Sequence, residues 1–414
     1  MTRLAPALLA AALLSAAATS EAWARSPTAA SRPDPATDEG GLWSSSDRAE
    51  AEARTKAELD ADPVLTGYVR GVACKVAAEY CGEIRVYVMD RPFFNAQMAP
   101  NGYMEVWSGL LLRVTDEAEL AFVLGHETSH YVHHHSLDAW RAARRRANAT
   151  MALSAVVAVA GAAAGAGVGG DAAARTINDS VNALVDVLYL AAVASMFAFS
   201  RDQEAEADRL GFARAVAAGY DPSAGARLWR ALQAEAGHSD FPTARTEEAV
   251  ASVFATHPVT AARVAALETL SNDRPAGSTD SGRARYRAAI RPHLADWLRD
   301  DLRRRDYGRT LHLIDRLAAD GEDPGLLDYC RGEVFRRRRG DGDDARALAA
   351  YRAASAAPDA PPAVWRELGD LHRKAGQTAE ARAAWAAYLA RAPDAQDRWL
   401  VEASLKALAR SGQP

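Results

Sequence analysis

The feature that most constrains this chain is the stretch 120–130, an apolar helical run that ends in two histidines and a glutamate. Positions four apart lie on one face of a helix, so His126 and His130 can present both imidazoles to one metal ion. Glu127, one residue further round, then flanks a bound water. This spacing also occurs by chance, but neutral histidines on a helix that is apolar around most of its girth are costly to bury without a partner. The pattern therefore predicts a metal site with a general base.

The third metal ligand decides the class of site, because a structural zinc site closes with four protein ligands whereas a catalytic one keeps three. The best candidate is Glu204, in the acidic stretch 200–211. Glu204 and Asp208 are four apart and share a helical face, so Glu204 can bind metal while Asp208 accepts the outer N–H of a ligand histidine. Glu206 points elsewhere on that helix. The alternative is a solvated acidic face.

These residues resemble the gluzincin metallopeptidases of the CAAX-prenyl-protease and HtpX type. The resemblance rests on the motif 126–130 and on the pair Glu204 and Asp208, which Ser-Arg precedes and Leu-Gly follows. It extends over residues 60–270. Thr128 and Ser129 replace the apolar and glycine residues usual inside the motif, and neither change removes a ligand. The resemblance implies one Zn²⁺ per chain, and Glu127 as the base that takes the proton of water.

Two strands are expected before the metal helix, at 84–89 and 103–107, with Asn101-Gly102 as a strong hairpin turn signal between them. On the resemblance, the second strand is an edge strand that accepts an extended substrate by β-addition. An ordinary core hairpin is the alternative. The residues assigned to this substrate edge are Gly102, Tyr103, Met104, Glu105 and Val106.

His257 has no evident local task. Thr256 is expected to cap a helix over 259–270 and Pro258 to lie in its first turn, so both neighbours have a structural reason. Members of the family often carry His-Pro followed by an arginine, which matches His257, Pro258 and Arg263. We expect His257 either as a regulatory fourth ligand that takes the water position in a resting state, or as a donor to the developing oxyanion.

Two other groups of side chains near the motif leave alternatives open. His133, His134 and His135 follow the metal face directly, but the helix turns each in a different direction, so we expect them to be structural or solvated. Cys74 and Cys81 are two turns apart if the segment is all helical, which is too far for a disulfide. A disulfide requires the helix to end near Glu79, and two buried thiols are the alternative.

The N-terminus carries the pattern of a secretory signal. A basic residue, the apolar run 4–18 and Ala22-Trp23-Ala24 predict a signal peptide over 1–24, and the apolar run is too short to span a membrane. Residues 25–46 are expected to be a disordered leader, with helix from Asp47. The predicted location is the periplasm, in association with the membrane surface or free of it.

The stretches 151–170 and 181–199 are rich in apolar residues. Glycines interrupt the first, and Asn182 and Asp186 interrupt the second, so neither is a strong membrane span. We expect a flexible loop or helical hairpin that covers the active site and touches a membrane surface, with integral insertion as the lesser alternative.

The chain is long enough, at 414 residues, for two domains. A metallopeptidase domain is expected over 47–272 and a tetratricopeptide-like helical repeat domain over 283–412, separated by a turn-rich segment. A generic helical bundle is the alternative to repeats. The residues at repeat spacing are Trp365, Leu368, Gly369, Ala381, Trp385 and Pro393.

The predicted fold class is mainly α with a small β-sheet, an α+β zincin catalytic domain, followed by an all-α helical-repeat domain. The chain resembles the periplasmic BepA-like peptidases, which implies an exported zinc endopeptidase that cleaves misfolded or misassembled envelope proteins, with repeats that recruit an envelope protein partner. The alternative is a chaperone or scaffold with minor proteolysis. The intact Glu127 argues against it, since a structural site needs no base. The net charge of −5 predicts no nucleic-acid partner.

Overall fold

The computed structural model describes residues 32–146, 197, 199–246, 257–273 and 280–411. The predicted signal peptide lies outside these residues, as does all of the predicted hairpin over 151–199 except Phe197 and Phe199. The described chain is helical apart from one small sheet, with helices alone after residue 107. This confirms the predicted fold class of an α+β part followed by an all-α part. Among the described residues, no helix is long and apolar enough to cross a membrane.

Helix α1 spans Asp38–Ala53 and begins earlier than predicted. Thr37 caps it by accepting a hydrogen bond from the Gly40 N–H, and two acidic residues occupy its first turn, where they favour the helix dipole. Leu42 is buried and packs in one apolar cluster with Leu137. The prediction of a disordered leader to residue 46 is therefore wrong for its last part, because one cap and one buried leucine outweigh a polar, glycine-containing composition.

Helix α2 spans Pro63–Val76 and is followed by a short 3₁₀ turn over Ala78–Tyr80. Because the α-helix ends at Val76, the chain folds back and brings the Cα atoms of Cys74 and Cys81 to 4.7 Å. The two cysteines form a disulfide, which decides between the two alternatives left open above. A third cysteine, Cys330, is free and buried.

Three strands of the described chain form one sheet: β1 (Arg85–Met89), β2 (Ala96–Met98) and β3 (Tyr103–Trp107). Their order is β1-β3-β2, with β3 parallel to β1 and antiparallel to β2. The turn at Gly102, where φ is +87°, is a hairpin turn as predicted. It joins β3 to β2, however, and not to β1.

The prediction that Gly102–Val106 forms a substrate-binding edge strand is wrong. β3 lies in the centre of the sheet, with Glu105 opposite Tyr87 of β1 on one side and opposite Gln97 of β2 on the other. Both sides of its backbone are used in pairing, so no substrate strand can be added to it. β2 has only three residues, which is too short for hydrophobic periodicity to reveal, so the sequence predicted no strand there.

Helix α4 (Glu117–Val132) carries the motif and follows a short helix, α3 (Ser108–Arg113). Asp116 caps α4 by accepting the Glu119 N–H at 2.9 Å, and every residue of α4 is buried. The helix ends at Val132, two residues before His134 adopts φ +56°, and a further helical segment occupies 135–146. The motif helix is therefore the central element of the fold.

Three more helices complete the part of the chain that surrounds α4: α5 (Arg201–Ala217), α6 (Ala224–Gly237) and α7 (Ala261–Asn272). The cap of α7 is Thr260, whose side chain accepts the Arg263 N–H. Helix α7 thus begins two residues later than the predicted start at 259. Pro258 lies before the helix and not in its first turn.

The C-terminal part is a series of helices in which glycines permit close packing. A Cβ on Gly369 would lie 2.3 Å from Trp385, and a Cβ on Gly332 would lie 2.3 Å from Tyr351. Each glycine thus admits an aromatic ring from the following helix. The helices are α8 (Arg283–Arg303), α9 (Tyr307–Ala318), α10 (Pro324–Arg338), α11 (Asp343–Ala356), α12 (Ala363–Lys374), α13 (Thr378–Arg391) and α14 (Arg398–Ser411).

The core is continuous from the motif helix into the first C-terminal helices, since one buried apolar cluster runs from Leu65 to Val334. A buried ion pair network crosses the same region. The guanidinium of Arg113 lies 2.8 Å from Glu235 of α6 and 2.6 Å from Asp301 of α8. Removing one partner of such a buried pair costs about 3–5 kcal/mol, so this network fixes α8 against α3 and α6.

Candidate metal centre

Helices α4 and α5 meet at two glycines. A Cβ added to Gly211 would lie 2.7 Å from the backbone nitrogen of His126, and one added to Gly125 would lie 3.1 Å from the Gly211 carbonyl oxygen. Any side chain at Gly211 would push the helices apart. The close approach brings Glu204 and Asp208, about two turns and one turn before Gly211, to the motif face. Gly211 belongs to the sequence motif that follows Asp208, but the motif alone did not predict that this glycine allows the two helices to pack closely.

The first turn of α5 is fixed by a reciprocal cap. The Ser200 side chain accepts the Gln203 N–H at 3.2 Å, while the Gln203 side chain accepts the Ser200 N–H at 2.9 Å. This pair satisfies two backbone donors that a helix start leaves without intrahelical partners. Glu204, the next residue, is therefore presented from a well-defined turn.

Four side chains converge beside the motif: His126, His130, Glu204 and His257, with one potential ligand atom from each within 4.8 Å of the others. The Nε2 atoms of His126 and His130 are 3.1 Å apart, and each lies 3.6 Å from a Glu204 carboxylate oxygen. His257 Nδ1 lies 3.3 Å from His126 Nε2. The four residues are at most 2% exposed, so the centre is closed to solvent.

The donor set fits a zinc ion. Zinc with nitrogen and oxygen ligands at about 2.0–2.1 Å in a tetrahedron separates neighbouring ligand atoms by about 3.3 Å, close to the distances between these side chains. Glu127 adjoins the group, and its Oε1 is buried without a hydrogen bond among the described residues. A buried carboxylate oxygen in that position is suited to a water molecule beside the metal.

Asp208 lies behind the metal face of His126, with Oδ1 3.1 Å from His126 Nδ1. Arg263 of α7 holds this carboxylate with two contacts, at 2.6 and 2.7 Å, and also contacts Glu204 at 2.7 Å. Burial alone would raise the pKa of Asp208, but hydrogen bonds and charge from Arg263 and His126 lower it to about 2. Asp208 is therefore an anion that can orient His126 while Arg263 orients both carboxylates.

Sequence reasoning missed one aromatic residue at this position. Trp229 of α6 donates from Nε1 to Asp208 Oδ1 at 3.4 Å, and the Arg263 guanidinium lies 5.3 Å from the centre of its ring. A tryptophan inside an amphipathic helix gives no signal of such a role, because packing explains it equally well. Arg263 had a signal, namely its spacing after His257 and Pro258.

Burial and charge set the protonation of the remaining groups. Burial raises the pKa of Glu127, with His257 and His126 partly opposing it, so the carboxylate is a stronger base than an exposed one. The pKa of Glu204 is lowered overall. Burial acts to raise this pKa, but the hydrogen bond from His257 and the charges of His257, His126 and Arg263 outweigh the effect of burial. Burial lowers the pKa of His130 well below its ordinary value, which keeps the imidazole neutral and able to bind metal.

His130 is supported on its outer side by two aromatic rings. Its Nδ1 lies 2.8 Å from His135 Nδ1, and its ring stacks on Phe199 with centroids 3.8 Å apart. His135 Nε2 in turn lies 3.3 Å from Glu206 Oε2. His135 was expected to be structural or solvated, and it lies outside the group of four side chains at the centre.

The two departures inside the motif do not reach the centre. The hydroxyls of Thr128 and Ser129 each donate to the carbonyl four residues earlier, those of Leu124 and Gly125, at 2.7 Å. Their polar groups are thereby satisfied within the helix.

A buried helix with two histidines and a glutamate, joined by a glutamate from a crossing helix, defines the class of HExxH metallopeptidases. The profile of Peptidase family M48 matches residues 62–271, slightly more than half of the chain. The chain belongs to this family. The match confirms the resemblance and the enzyme class, metallopeptidase, that the sequence motifs predicted.

Individual relatives agree with the family. The chain is 26% identical over 238 residues to a putative beta-barrel assembly-enhancing protease of Vibrio cholerae serotype O1, a match that covers 56% of this chain and 42% of the relative. It is 31% identical over 160 residues to the mitochondrial metalloendopeptidase OMA1 of Bos taurus, covering 38% and 28%. The beta-barrel assembly-enhancing protease of Escherichia coli strain K12 is 23% identical over 288 residues, covering 64% and 54%. The chain thus spans less than two thirds of the length of these curated relatives.

Proposed function

We propose that this protein is a zinc-dependent endopeptidase that binds one catalytic Zn²⁺ through His126, His130 and Glu204. The observation that carries the proposal is the position of Glu127, whose buried Oε1 makes no hydrogen bond among the described residues and lies 3.5 Å from Nε2 of His257, a member of the converging group. A purely structural zinc site needs ligands but no such base.

When bound, zinc polarises the peptide carbonyl and lowers the pKa of its water to about 7. Glu127 takes the proton of that water and returns it to the leaving amine, tasks for which its raised pKa suits it. Asp208 holds the N–H of His126, so that Nε2 keeps its lone pair toward the metal. Arg263 keeps Glu204 and Asp208 ionised.

The substrate would pair with the outer edge of β2. In the antiparallel register Gln97 pairs with Glu105 of β3, so the backbone groups of Ala96 and Met98 point away from β3. β2 also packs against the motif helix α4. Main-chain pairing of this kind binds an extended polypeptide with little dependence on its sequence. Ala96 and Met98 are buried in this structure, so binding requires a conformational change that uncovers them.

The structure would then represent a resting state. His257 occupies the fourth position of the group at the centre, which a water must take during hydrolysis. The centre is also closed to solvent. We infer that His257 is a regulatory ligand, and that its displacement by substrate or by a partner starts the reaction.

The names of two relatives, beta-barrel assembly-enhancing proteases, support a proposal for the cellular role. We propose a periplasmic enzyme, exported by the signal at 1–24, that cleaves misfolded or misassembled envelope proteins. The catalytic domain is 47–272, and the helices of 283–412 form tetratricopeptide-like repeats that recruit an envelope protein partner. The glycine and aromatic packing of Gly369 with Trp385 supports repeats over an irregular bundle. A chaperone or scaffold with minor proteolysis is the second candidate.

The decisive experiment compares wild type with Glu127→Gln in zinc content and in proteolysis of unfolded casein. Zinc retained with proteolysis lost supports the peptidase. Equal proteolysis by both proteins would refute it and favour the scaffold. Glu52→Gln, which changes an exposed glutamate of α1, is the matched control and should behave as wild type.

A further inference from the structure

A second group of potential metal ligands lies next to the catalytic centre. His133 and His135 flank His134, whose positive φ turns the chain, and both approach Glu206 of α5. His133 Nδ1 lies 3.6 Å from Glu206 Oε1, and His135 Nε2 lies 3.3 Å from Glu206 Oε2. One ligand atom from each of the three side chains lies within 4.8 Å of the others.

The three side chains are near enough to share a metal ion. Neighbouring ligand atoms of a tetrahedral zinc are separated by about 3.3 Å, and each histidine lies 3.3–3.6 Å from one oxygen of the Glu206 carboxylate. The Arg209 guanidinium, 4.0 Å from Glu206 Oε1, is too far to compete strongly for this carboxylate. A small adjustment of the side chains would therefore bring all three onto one cation.

We propose that His133, His135 and Glu206 form a second, weaker site for a divalent cation of the zinc class. Two imidazoles and a carboxylate are donors that zinc, nickel and copper prefer to magnesium or calcium. The site opens to solvent, since the side chains of Glu206 and His133 are 36% and 14% exposed. Water can therefore complete the coordination, and the ion can enter without opening the catalytic centre.

The second site lies directly against the first, because His135 Nδ1 is 2.8 Å from Nδ1 of His130. A cation held at His135 Nε2 would fix the His135 ring and add positive charge within contact distance of His130, a ligand of the catalytic metal in the proposed function. We therefore expect a cation in the second site to weaken the hold of His130 on the catalytic metal.

Metal stoichiometry tests the site without reference to catalysis. Glu127→Gln protein is titrated with Zn²⁺ and its bound metal is measured after gel filtration and by calorimetry. Two classes of site are expected, the second weaker than the first. Adding His133→Ala should lower the affinity of the second class by about 10-fold or more while leaving the first unchanged. Adding His134→Asn is the matched control, since asparagine tolerates positive φ and His134 is not one of the three ligands.

The outcomes are distinct. Loss of the second class in the His133→Ala protein but not in the His134→Asn protein supports the site. A single class in the Glu127→Gln protein at millimolar Zn²⁺, or equal loss in both variants, overturns it. In catalytically active protein, Zn²⁺ beyond one equivalent should inhibit proteolysis, and His133→Ala should relieve the inhibition without changing basal proteolysis. Inhibition that persists in His133→Ala overturns the antagonism.

Discussion

His126 Nδ1 and Asp208 Oδ1 lie 3.1 Å apart, on the side of the imidazole that faces away from the other metal-binding groups. The carboxylate is an acceptor, so in the proposed metal-bound state this pair would hold the proton of His126 on Nδ1 and leave Nε2 for the metal. Arg263 restrains the carboxylate through two further contacts. The orientation of one metal ligand thus depends on helix α7, which contributes no side chain to the predicted set of three zinc ligands.

Asp208→Ala should weaken zinc binding by ~10–100-fold, because His126 loses the acceptor that orients it. Competition with a chelator of known affinity measures the change, and urea unfolding checks that the fold persists. Asp202→Ala, at an exposed position on the same helix, should leave zinc affinity unchanged. An Asp208→Ala protein with the zinc affinity of wild type would limit Asp208 to a structural role.

Gly211→Ala should weaken both the fold and the metal centre. The added methyl group would lie 2.7 Å from the His126 nitrogen, and an overpacked core site of this kind costs about 1–3 kcal/mol. Because α4 and α5 then separate, Glu204 moves away from the histidines and zinc affinity falls. Gly71→Ala in α2 meets no atom within 4 Å and should be neutral or stabilising by about 0.5–1 kcal/mol. Equal unfolding free energies for the two variants would contradict the close helix crossing.

The convergence of His126, His130 and Glu204 could be predicted from the sequence because the residues that carry it lie at helical spacings. His126 and His130, and likewise Glu204 and Asp208, are four apart, so each pair shares a face once its segment is helical. The meeting of the two helices was not readable from periodicity. It depends on the close contact at Gly211 and on Arg263. Arg263 lies more than fifty positions after the carboxylates that it holds.

The sheet shows where sequence reasoning failed. The turn at Gly102 was correctly predicted, but the strand before it has three residues, too few for an alternating pattern. Only the longer strand at 84–89 was therefore predicted before the turn. The edge position of β3 was an expectation from the family resemblance, and β3 lies instead between β1 and β2. Similarly, the start of α1 was missed because one cap at Thr37 carries more weight than the composition of the leader.

The stability of the α1 attachment should depend on pH through Glu50. Hydrogen bonds from Arg85 oppose the effect of burial and, with further contributions from Tyr87 and Arg54, lower the pKa of Glu50 to about 2. A carboxyl whose pKa is lower in the folded state stabilises the fold above its unfolded pKa of about 4.5, and the stabilisation disappears as pH falls from there to about 2.

Glu50→Gln should therefore lower the free energy of unfolding by about 1–3 kcal/mol at neutral pH, because several donors lose a charged acceptor. The difference from wild type should be constant above about pH 5 and shrink steadily toward pH 2. Urea unfolding followed by circular dichroism over this range measures it. A difference that does not change with pH would show that the charge of Glu50 is not what holds α1 in place.

His257 contacts both the metal-binding group and the base. Its Nδ1 lies 2.9 Å from Glu204 Oε1 and its Nε2 lies 3.5 Å from Glu127 Oε1. A side chain in this position can exclude the water that Glu127 must activate. The same position lies close enough to the centre for an imidazole to donate to a developing oxyanion once the ring has moved aside. The two roles predict opposite effects when the imidazole is removed.

His257→Ala should raise basal proteolysis if His257 is a resting-state ligand, because the fourth position becomes open to water and substrate. The same change should weaken zinc binding, since one of four donors is lost. If His257 is instead an oxyanion donor, turnover should fall by ~10²–10³ with zinc affinity nearly unchanged. Turnover and zinc content measured together on wild type and variant separate the two cases. We expect higher turnover with weaker zinc binding. A variant with the turnover and the zinc affinity of wild type would exclude both roles.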